Sequence, residues 1–438
     1  MKLWKNSKYV SLGDCFLVDK NNEIYVNDAI NNGASKIVSE LNNKYSVDTI
    51  KVDNINDYIK KYYNFDSIKL IGITGTNGKT TTCFLIYQML KLLNIKVSYI
   101  GTIGFYIDEK ICDLDNTTPS IDVIYNLIQT ACESGCEVVV MEISSHALKQ
   151  NRVYGLLFNA IGVTNVTKDH LDYHKSMNDY VNSKRKITKL TTDEKICVLN
   201  KKDKYYKSFI KKNNKNIIIG KDIKIKKIIS NLNNTTLYFK DKKYYKVDLS
   251  LIGKFNVYNY LMAYIIIKKL GFNIDLKSSY KLIEPPGRMD KINYKKSIIF
   301  IDYAHTPDAV KKVLKTVSKI KNKGIITVIG CGGKRDKTKR PLMGFIASKY
   351  SKHVIFTNDN PRQEDEKSIM KDIVKNAKNN YEIIYDRKEA IKKGIEMLKP
   401  NQVLMILGKG HETYQIIGNE KKYFSDKKTV LKIIDMLS

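Results

Sequence analysis

The sequence contains no apolar run long enough to span a membrane. Its opening residues, Met1-Lys2-Leu3-Trp4-Lys5-Asn6, carry no apolar signal-peptide core. Both absences lead us to expect a cytoplasmic protein with no membrane insertion. The seven cysteines (15, 83, 112, 132, 136, 197 and 331) are odd in number and scattered, which excludes a disulfide framework. Cys132 and Cys136 could share a helix face, but two thiols with no histidine nearby make a poor metal site, and reduced cysteines used as small apolar residues account for them. No internal repeat or low-complexity segment stands out beyond an enrichment in lysine and asparagine. Acidic residues are scarce: 45 Asp and Glu face 76 Lys and Arg, a formal net charge of +31. That balance invites a nucleic-acid reading. The lysines, however, are spread along the whole chain with no basic helix or tail. Lys, Asn, Ile and Tyr are plentiful together, as AT-rich codon usage produces, and a positive field attracting anionic nucleotides is the next explanation. No nucleic-acid partner is expected.

What is present is enough chain for a large core. A length of 438 residues with 43% hydrophobic content suggests about two to four globular domains. Residues 1–66 read as a small α/β unit, with a strand at Cys15-Phe16-Leu17-Val18, a short helix from Asn27 to Asn32 ended by Gly33, and a second strand led by Ala34. Residues 67–285 form a larger unit. Pro285-Pro286-Gly287 is the clearest linker signal, and from 286 to 438 strand and helix patterns alternate as in a doubly wound α/β domain.

The most informative stretch is residues 68–82. An apolar run, Ile68 to Ile73, becomes glycine-rich at Gly75-Thr76-Asn77-Gly78-Lys79-Thr80-Thr81 and then turns into a helical apolar pattern at Phe84, Leu85, Ile86, Met89 and Leu90. Strand, glycine loop and helix make a phosphate cradle: backbone N–H groups close on phosphate oxygens and the helix start adds positive potential. Lys79 would reach the β- and γ-phosphates and the Thr80 hydroxyl would ligate magnesium. Ile73 stands where the common phosphate-loop pattern has its first glycine. A glycine turn without a ligand is the bland alternative, and Gly-Lys-Thr in this context speaks against it.

Further candidates sit at predicted strand ends, where open α/β sheets bind ligands. The strand Glu137 to Ile143 carries Glu142, the carboxylate chosen for magnesium, followed by Ser144-Ser145-His146. The strand from Phe158 ends in Asp169-His170-Leu171-Asp172-Tyr173-His174. Residues 215–250 alternate apolar and polar residues in hairpin style. Gly253 to Leu270 reads as a helix with Asn256 and Asn259 near its start. In the last domain four clusters fall at equivalent strand ends: Asp302-Tyr303-Ala304-His305, Gly330 to Asp336, Asp359-Asn360-Pro361-Arg362, and Gly408-Lys409-Gly410-His411-Glu412. Arg335 and Arg362 suit an anionic ligand. Gly330-Cys331-Gly332-Gly333 is not a dinucleotide fingerprint and comes too late in its domain.

Jointly, these motifs resemble the Mur ligase family. The loop Gly75 to Thr81 is similar to that family's ATP loop, which accounts for Ile73. Thr117-Thr118-Pro119, Glu142 to Leu148, Asp169 to His174, Pro286-Gly287-Arg288-Met289-Asp290, Asp302 to Asp308 and Gly408 to Glu412 follow in the family's order, and coverage runs from about residue 6 to the C-terminus. The resemblance implies an α/β fold of three domains: a small N-terminal α/β domain that binds UDP (1–66, shortened), a central P-loop ATPase-like domain with a parallel sheet (67–285), and a C-terminal Rossmann-like domain that binds the amino acid (286–438). It implies an ATP- and Mg2+-dependent carbon–nitrogen ligase of peptidoglycan biosynthesis, and hence of cell shape and division, that forms an acyl phosphate on UDP-N-acetylmuramoyl-L-Ala-D-Glu and then an amide with meso-diaminopimelate. A monomer is expected.

Carried over residue by residue, the resemblance makes Lys79, Glu142, His170 and Lys184 catalytic. Gly75, Thr76, Asn77, Gly78, Lys79, Thr80, Thr81, Asn256, Arg288, Asp302 and His305 would bind ATP. Thr80, Glu142, His170 and Lys184 would hold metal, with Lys184 carbamylated into an anionic ligand. Ser7, Thr117, Thr118, Ser145, Gln150 and Arg152 would grip the UDP-muramoyl substrate. Arg335, Asp359, Asn360, Arg362, Gly408 and Glu412 would form the diaminopimelate pocket. Arg362 sits in the tetrapeptide that marks diaminopimelate over lysine, and a guanidinium can bind the distal carboxylate that lysine lacks. The family's Asp-Ser-Arg segment reads Asn6-Ser7-Lys8 here and nearly all that usually precedes it is missing, so uridine recognition is expected to be weaker or met by other residues. The alternatives are the same ligase using L-lysine or another diamino acid, a folylpolyglutamate synthetase, and, in another class, a basic P-loop ATPase that binds nucleic acid.

Overall fold

The structure is a computed structural model that describes residues 1–320 and 324–437. The chain divides into two compact units. The first comprises 1–166, 176–221 and 262–274, and the second 167–175, 222–261 and 275 onward. The dividing line passes through the helix Lys254–Lys269.

In the first unit the N-terminal residues build a four-stranded parallel sheet of Leu3–Trp4, Cys15–Val18, Lys36–Ser39 and Asp48–Lys51. The strand expected at Cys15 to Val18 is present and buried along its whole length. An eight-stranded sheet follows, with the strand Lys69–Thr74 flanked in parallel by Val138–Ile143 and Phe158–Val163. Five consecutive residues of Lys69–Thr74 are buried, as a strand covered on both faces requires. Burying a large aliphatic side chain there contributes roughly 1.5–3 kcal/mol, which anchors the loop that leaves the strand's end.

The second unit holds an antiparallel sheet of Lys224–Ser230, Thr235–Asp241 and Lys243–Leu249. It also holds a six-stranded sheet in which Ser297–Asp302, Val403–Leu407, Ile325–Ile329, His353–Phe356 and Tyr381–Ile383 run parallel, edged by the antiparallel strand Asp290–Tyr294. The alternation of strands and helices expected after residue 286 is therefore present. Two cores flank the sheet, one around Phe300, Leu314 and Phe356, the other around Ile301, Ile391 and Leu404.

The structure differs from the expected pattern in places. Residues 215–250 are not one hairpin system: Lys215–Ile219 pairs in parallel with Thr191–Asn200 at the edge of the eight-stranded sheet. Its Ile217-Ile218-Ile219 run suits that edge, whereas the alternating residues after Lys224 suit a sheet with one wet face. The strand Asp290–Tyr294, the hairpin Tyr414–Ile417 with Glu420–Tyr423, and the helix Asp426–Leu437 were not anticipated. Among the described residues no helix is long and apolar enough to cross a membrane, and none of the seven cysteines forms a disulfide.

Candidate functional site

The helix Lys79–Leu92 begins directly after Gly78, whose φ of 89° is the left-handed turn that glycine accommodates. Gly75 has φ 148°, and a Cβ there would lie 1.9 Å from Thr164 Oγ1, so a side chain at this position would push the loop off the neighbouring strand end. Thr164 Oγ1 donates to Asn77 O at 2.7 Å and Asn165 Nδ2 donates to Asn77 O at 2.8 Å, which fixes the loop from below. Lys79 Nζ donates to Gly75 O and Thr76 O, at 2.9 and 3.2 Å, and so lies curled over its own loop.

Glu142, one residue before the end of its strand, is fully buried. Its carboxylate accepts from Thr80 Oγ1 at 2.9 Å, Tyr99 OH at 2.5 Å, Thr102 N at 2.8 Å and Thr102 Oγ1 at 3.2 Å. Burial and the Glu142 carboxylate together hold the Tyr99 phenol well above its usual range, so it stays a donor. Tyr99 and Thr102 were missed in the sequence; nothing local marks them. A hydroxyl and a carboxylate at a phosphate loop form a hard oxygen donor set that fits magnesium, which takes one or two protein ligands and completes its shell with phosphate and water. Among the described residues no group of three or more His, Cys, Asp or Glu could hold a metal by itself.

Lys184, on the helix Met177–Arg185, is 1% exposed. Its Nζ donates to Gly75 O at 2.9 Å and lies 4.6 Å from the Tyr180 ring centre, while Tyr180 OH meets Thr76 Oγ1 at 3.0 Å. A lysine that only the family resemblance singles out is thus packed against the phosphate loop. His170 lies in the second unit, in the loop 167–175, with a left-handed φ of 52° and its ring 3.4 Å from Asp169.

The residues expected to grip the muramoyl substrate form a second group in the first unit. Thr118 is buried: its hydroxyl donates to Glu142 O and accepts from Ser144 N, at 2.8 and 2.9 Å. Arg152 Nη1 donates to Thr118 O at 2.7 Å and its Nε to Gln150 Oε1 at 2.9 Å, and Thr117 Oγ1 lies 3.0 Å from Thr102 Oγ1. Ser145 is buried at the start of its short helix. Ser7 lies between Lys5, whose N donates to Asp122, and Tyr9, whose hydroxyl donates to Asp115. Those two acids bracket Thr117 and Thr118, so folding brings the N-terminal segment beside that loop.

In the second unit Asn256, Arg288, Asp302 and His305 converge. Asp302 accepts from Met289 N and Ala304 N, both at 2.8 Å, and the Arg288 guanidinium lies 4.6 Å from the Tyr303 ring centre. Burial raises the Asp302 carboxyl, an effect that Arg288 offsets in part. Asn256 is held by Glu284, whose Oε1 accepts from its Nδ2 at 2.8 Å. His305 Nδ1 lies 2.8 Å from Tyr303 O. Burial first, then the Lys339 charge, pulls the His305 imidazole down from 6.5 to about 4. The unfolded chain therefore binds more protons than the folded one between those values, and stability falls as pH drops through that window. The melting temperature of the wild type is expected to decline more steeply from pH 6.5 to 4.5 than that of His305→Gln; parallel declines would contradict a neutral buried imidazole.

The remaining candidates lie at the ends of the parallel strands. Asp359 and Asn360 are buried after His353–Phe356, and Gly408 and Glu412 follow Val403–Leu407. Gly408 has φ 115°, and a Cβ on it would meet Asp359 Oδ2 at 2.6 Å, so only glycine lets the two loops close together. Arg362 adopts φ 54°, and its Nη1 donates to Gly333 O at 3.0 Å. Arg335 is exposed on the neighbouring loop. Beneath them, buried Arg387 donates to both oxygens of Asp426 at 2.8 Å, to Leu407 O at 3.1 Å and to Asn358 O at 3.4 Å. Arg340 donates to both Glu364 oxygens, holding that carboxyl well below its usual range, and to Gly332 O. These two unpredicted arginines brace the strand ends. Neither stands in a pattern that local sequence would flag.

With this geometry in place, comparison with known proteins is informative. Residues 73–267 match the Mur ligase middle domain and residues 287–410 match the Mur ligase, glutamate ligase domain. The chain is 39% identical over 447 residues to the UDP-N-acetylmuramoyl-L-alanyl-D-glutamate–2,6-diaminopimelate ligase of Aquifex aeolicus, covering 98% of this chain and 92% of that protein. It is 36% identical to the protein of the same name from Helicobacter pylori, covering 98% of both. A solved structure of a ligase of that name superposes with a TM-score of 0.69 at 29% identity, over 100% of this chain and 95% of the other. The MurF ligase of Thermotoga maritima, solved with ADP, superposes at 0.73 with 18% identity over 99% of this chain and 97% of that one, a likeness of fold alone.

Proposed function

The chain belongs to the Mur ligase family, and from that premise we propose that it joins meso-2,6-diaminopimelate to UDP-N-acetylmuramoyl-L-alanyl-D-glutamate at the expense of ATP. The observation that carries the amino-acid assignment is the grouping of Asp359, Asn360, Arg362, Gly408 and Glu412 in the loops after His353–Phe356 and Val403–Leu407, two strands that flank Ile325–Ile329: Asn360 accepts from Arg362 and donates to Glu412, and Gly408 closes on Asp359. Diaminopimelate ends in an ammonium and a carboxylate, and both find a partner of opposite charge there.

The division of labour follows from chemistry. Backbone N–H groups of Gly75 to Thr81 and the Lys79 ammonium neutralise the β- and γ-phosphates as charge shifts between them. Asn256, Arg288, Asp302 and His305 contact the nucleotide. Thr117, Thr118, Ser145, Gln150, Arg152 and Ser7 hold the muramoyl substrate so that its D-glutamyl carboxylate attacks the γ-phosphorus, releasing ADP. The amine of diaminopimelate, oriented by Arg362 and Glu412, then attacks the acyl carbon, and phosphate leaves. Thr80 and Glu142 would hold a magnesium ion, with His170 and a carbamylated Lys184 proposed for a second, and the metal would supply charge neutralisation on the transferred phosphoryl group. Carbamylation adds CO2 to the neutral Lys184 amine with loss of a proton, leaving an N–H that can still donate to Gly75 O. The domain assignment that goes with this reading is UDP binding by 1–66, ATP binding by 67–285 and amino-acid binding by 286–438.

A phosphate-release assay with a panel of amino acids tests it. Release is expected only with ATP, the UDP-muramoyl dipeptide and diaminopimelate together. Release with L-lysine but not diaminopimelate would refute the amino-acid assignment, and stimulation by DNA or RNA without the peptide substrate would refute the ligase.

A further inference from the structure

Lys409 is absent from the set of residues assigned above, yet its side chain is 0% exposed within the amino-acid pocket. Its Nζ lies 3.0 Å from Glu412 Oε2 and 3.1 Å from Asn360 Oδ1, and 5.5 Å from the Tyr414 ring centre. Asn360 Nδ2 donates to the same Glu412 oxygen at 3.0 Å, and Asn360 Oδ1 also accepts from Ile416 N at 2.9 Å. The amide of Asn360 therefore has a single satisfactory orientation: flipped, its NH2 would face an ammonium and a backbone N–H. Two donors occupy Glu412 Oε2, while Oε1 accepts no hydrogen bond among the described residues.

Resting on the reading above, we propose that Lys409 is a positioning residue that sets amino-acid specificity. By engaging one oxygen of Glu412 and offsetting its charge, it tunes the pocket for a zwitterionic distal end and against a lone ammonium. With Lys409 present, Glu412 offers an incoming ammonium one oxygen of a half-neutralised carboxylate. That attraction suffices when Arg362 binds a carboxylate on the same carbon, and falls short for a side chain ending in an ammonium alone, which Arg362 also repels. Without Lys409 both Glu412 oxygens carry uncompensated charge, and a lone ammonium gains most from the change. The charged and titratable groups that face Glu412 are Lys409, Asp359, Tyr303, Tyr414 and Arg387. Burial raises the Glu412 carboxyl, and Lys409 is the largest influence acting against that rise.

The test is Lys409→Met, close in shape and uncharged, in the phosphate-release assay. The ratio of kcat/KM for diaminopimelate to that for L-lysine is expected to fall about tenfold or more, the equivalent of about 1.4 kcal/mol, with KM for ATP unchanged. The acid limb of the diaminopimelate pH profile is expected to move to higher pH as Glu412 loses its counter-charge. Equal losses for both amino acids with an unmoved acid limb would make Lys409 a purely structural residue and overturn the proposal. If the Met variant melts below the assay temperature, Lys409→Ala supplemented with propylammonium replaces it: restored discrimination supports the proposal and its absence overturns it. A wild-type enzyme inactive with diaminopimelate would sink the proposed function itself. Wild-type activity with an unchanged ratio in the variant would sink only the role of Lys409.

Discussion

Lys184→Ala is expected to lower turnover by about 10²–10³-fold, the scale of losing one preorganised electrostatic group at a phosphoryl-transfer site. The wild-type side chain is 1% exposed and lies against the phosphate loop through Gly75 O and the Tyr180 ring. A bare ammonium there would repel a metal ion, and a carbamate would attract one. The two states give different rescue results. If the lysine acts as a carbamate, acetate or formate diffusing into the space left by alanine restores part of the activity. If it acts as a cation, small amines restore activity and carboxylates do not. Measuring turnover of Lys184→Ala against added acetate and added ethylamine separates them. Undiminished activity in the unsupplemented variant would remove Lys184 from the machinery altogether.

Arg362→Ala should raise KM for diaminopimelate by about 30-fold or more while leaving KM for ATP nearly constant. Removing one member of a desolvated, hydrogen-bonded charge pair costs roughly 2–5 kcal/mol, and each 1.4 kcal/mol is about tenfold. The Arg362 backbone is itself fixed: its N donates to Ile416 O at 3.0 Å, and Gly418 N donates to its carbonyl at 2.8 Å. The hairpin Tyr414–Ile417 with Glu420–Tyr423 thus sets where the guanidinium sits. Arg362→Lys should not rescue, since an ammonium cannot make the two-pronged contact with a carboxylate. Equal increases in KM for ATP and for diaminopimelate would reject the pocket assignment.

Local pattern carried a good deal of this molecule. The apolar run before Gly75, the Gly78-Lys79-Thr80 turn and the helical spacing after it follow from backbone sterics and hydrophobic periodicity, both of which are written in adjacent residues. The same holds for the strands of the last domain, whose continuous apolar runs leave parallel, two-faced burial as the economical solution. Where pattern misled, the cause is equally physical. Lys215–Ile219 looks like its hairpin neighbours over a short window, and only pairing with Thr191–Asn200 decides its sheet. Lys184 looks like one of many surface lysines, and Lys409 stands out only as one member of a strand-end cluster, because nothing in a neighbourhood of a few residues reports which distant loop will cover them.

By itself, then, the sequence determined the phosphate loop, the succession of α/β units and the strand ends at which polar clusters collect. These depend on local propensity, glycine conformations and periodicity. The tertiary structure alone decided which side chains complete the sites: Tyr99 and Thr102 on Glu142, Arg387 beneath the strand ends, and Lys409 between Asn360 and Glu412. Each of these contacts joins residues on different elements, except Lys409 with Glu412, which a tight turn brings together. Burial is what gives such contacts their strength. A charge or hydroxyl removed from water must find its partner inside the fold, and that partner is set by packing rather than by sequence proximity.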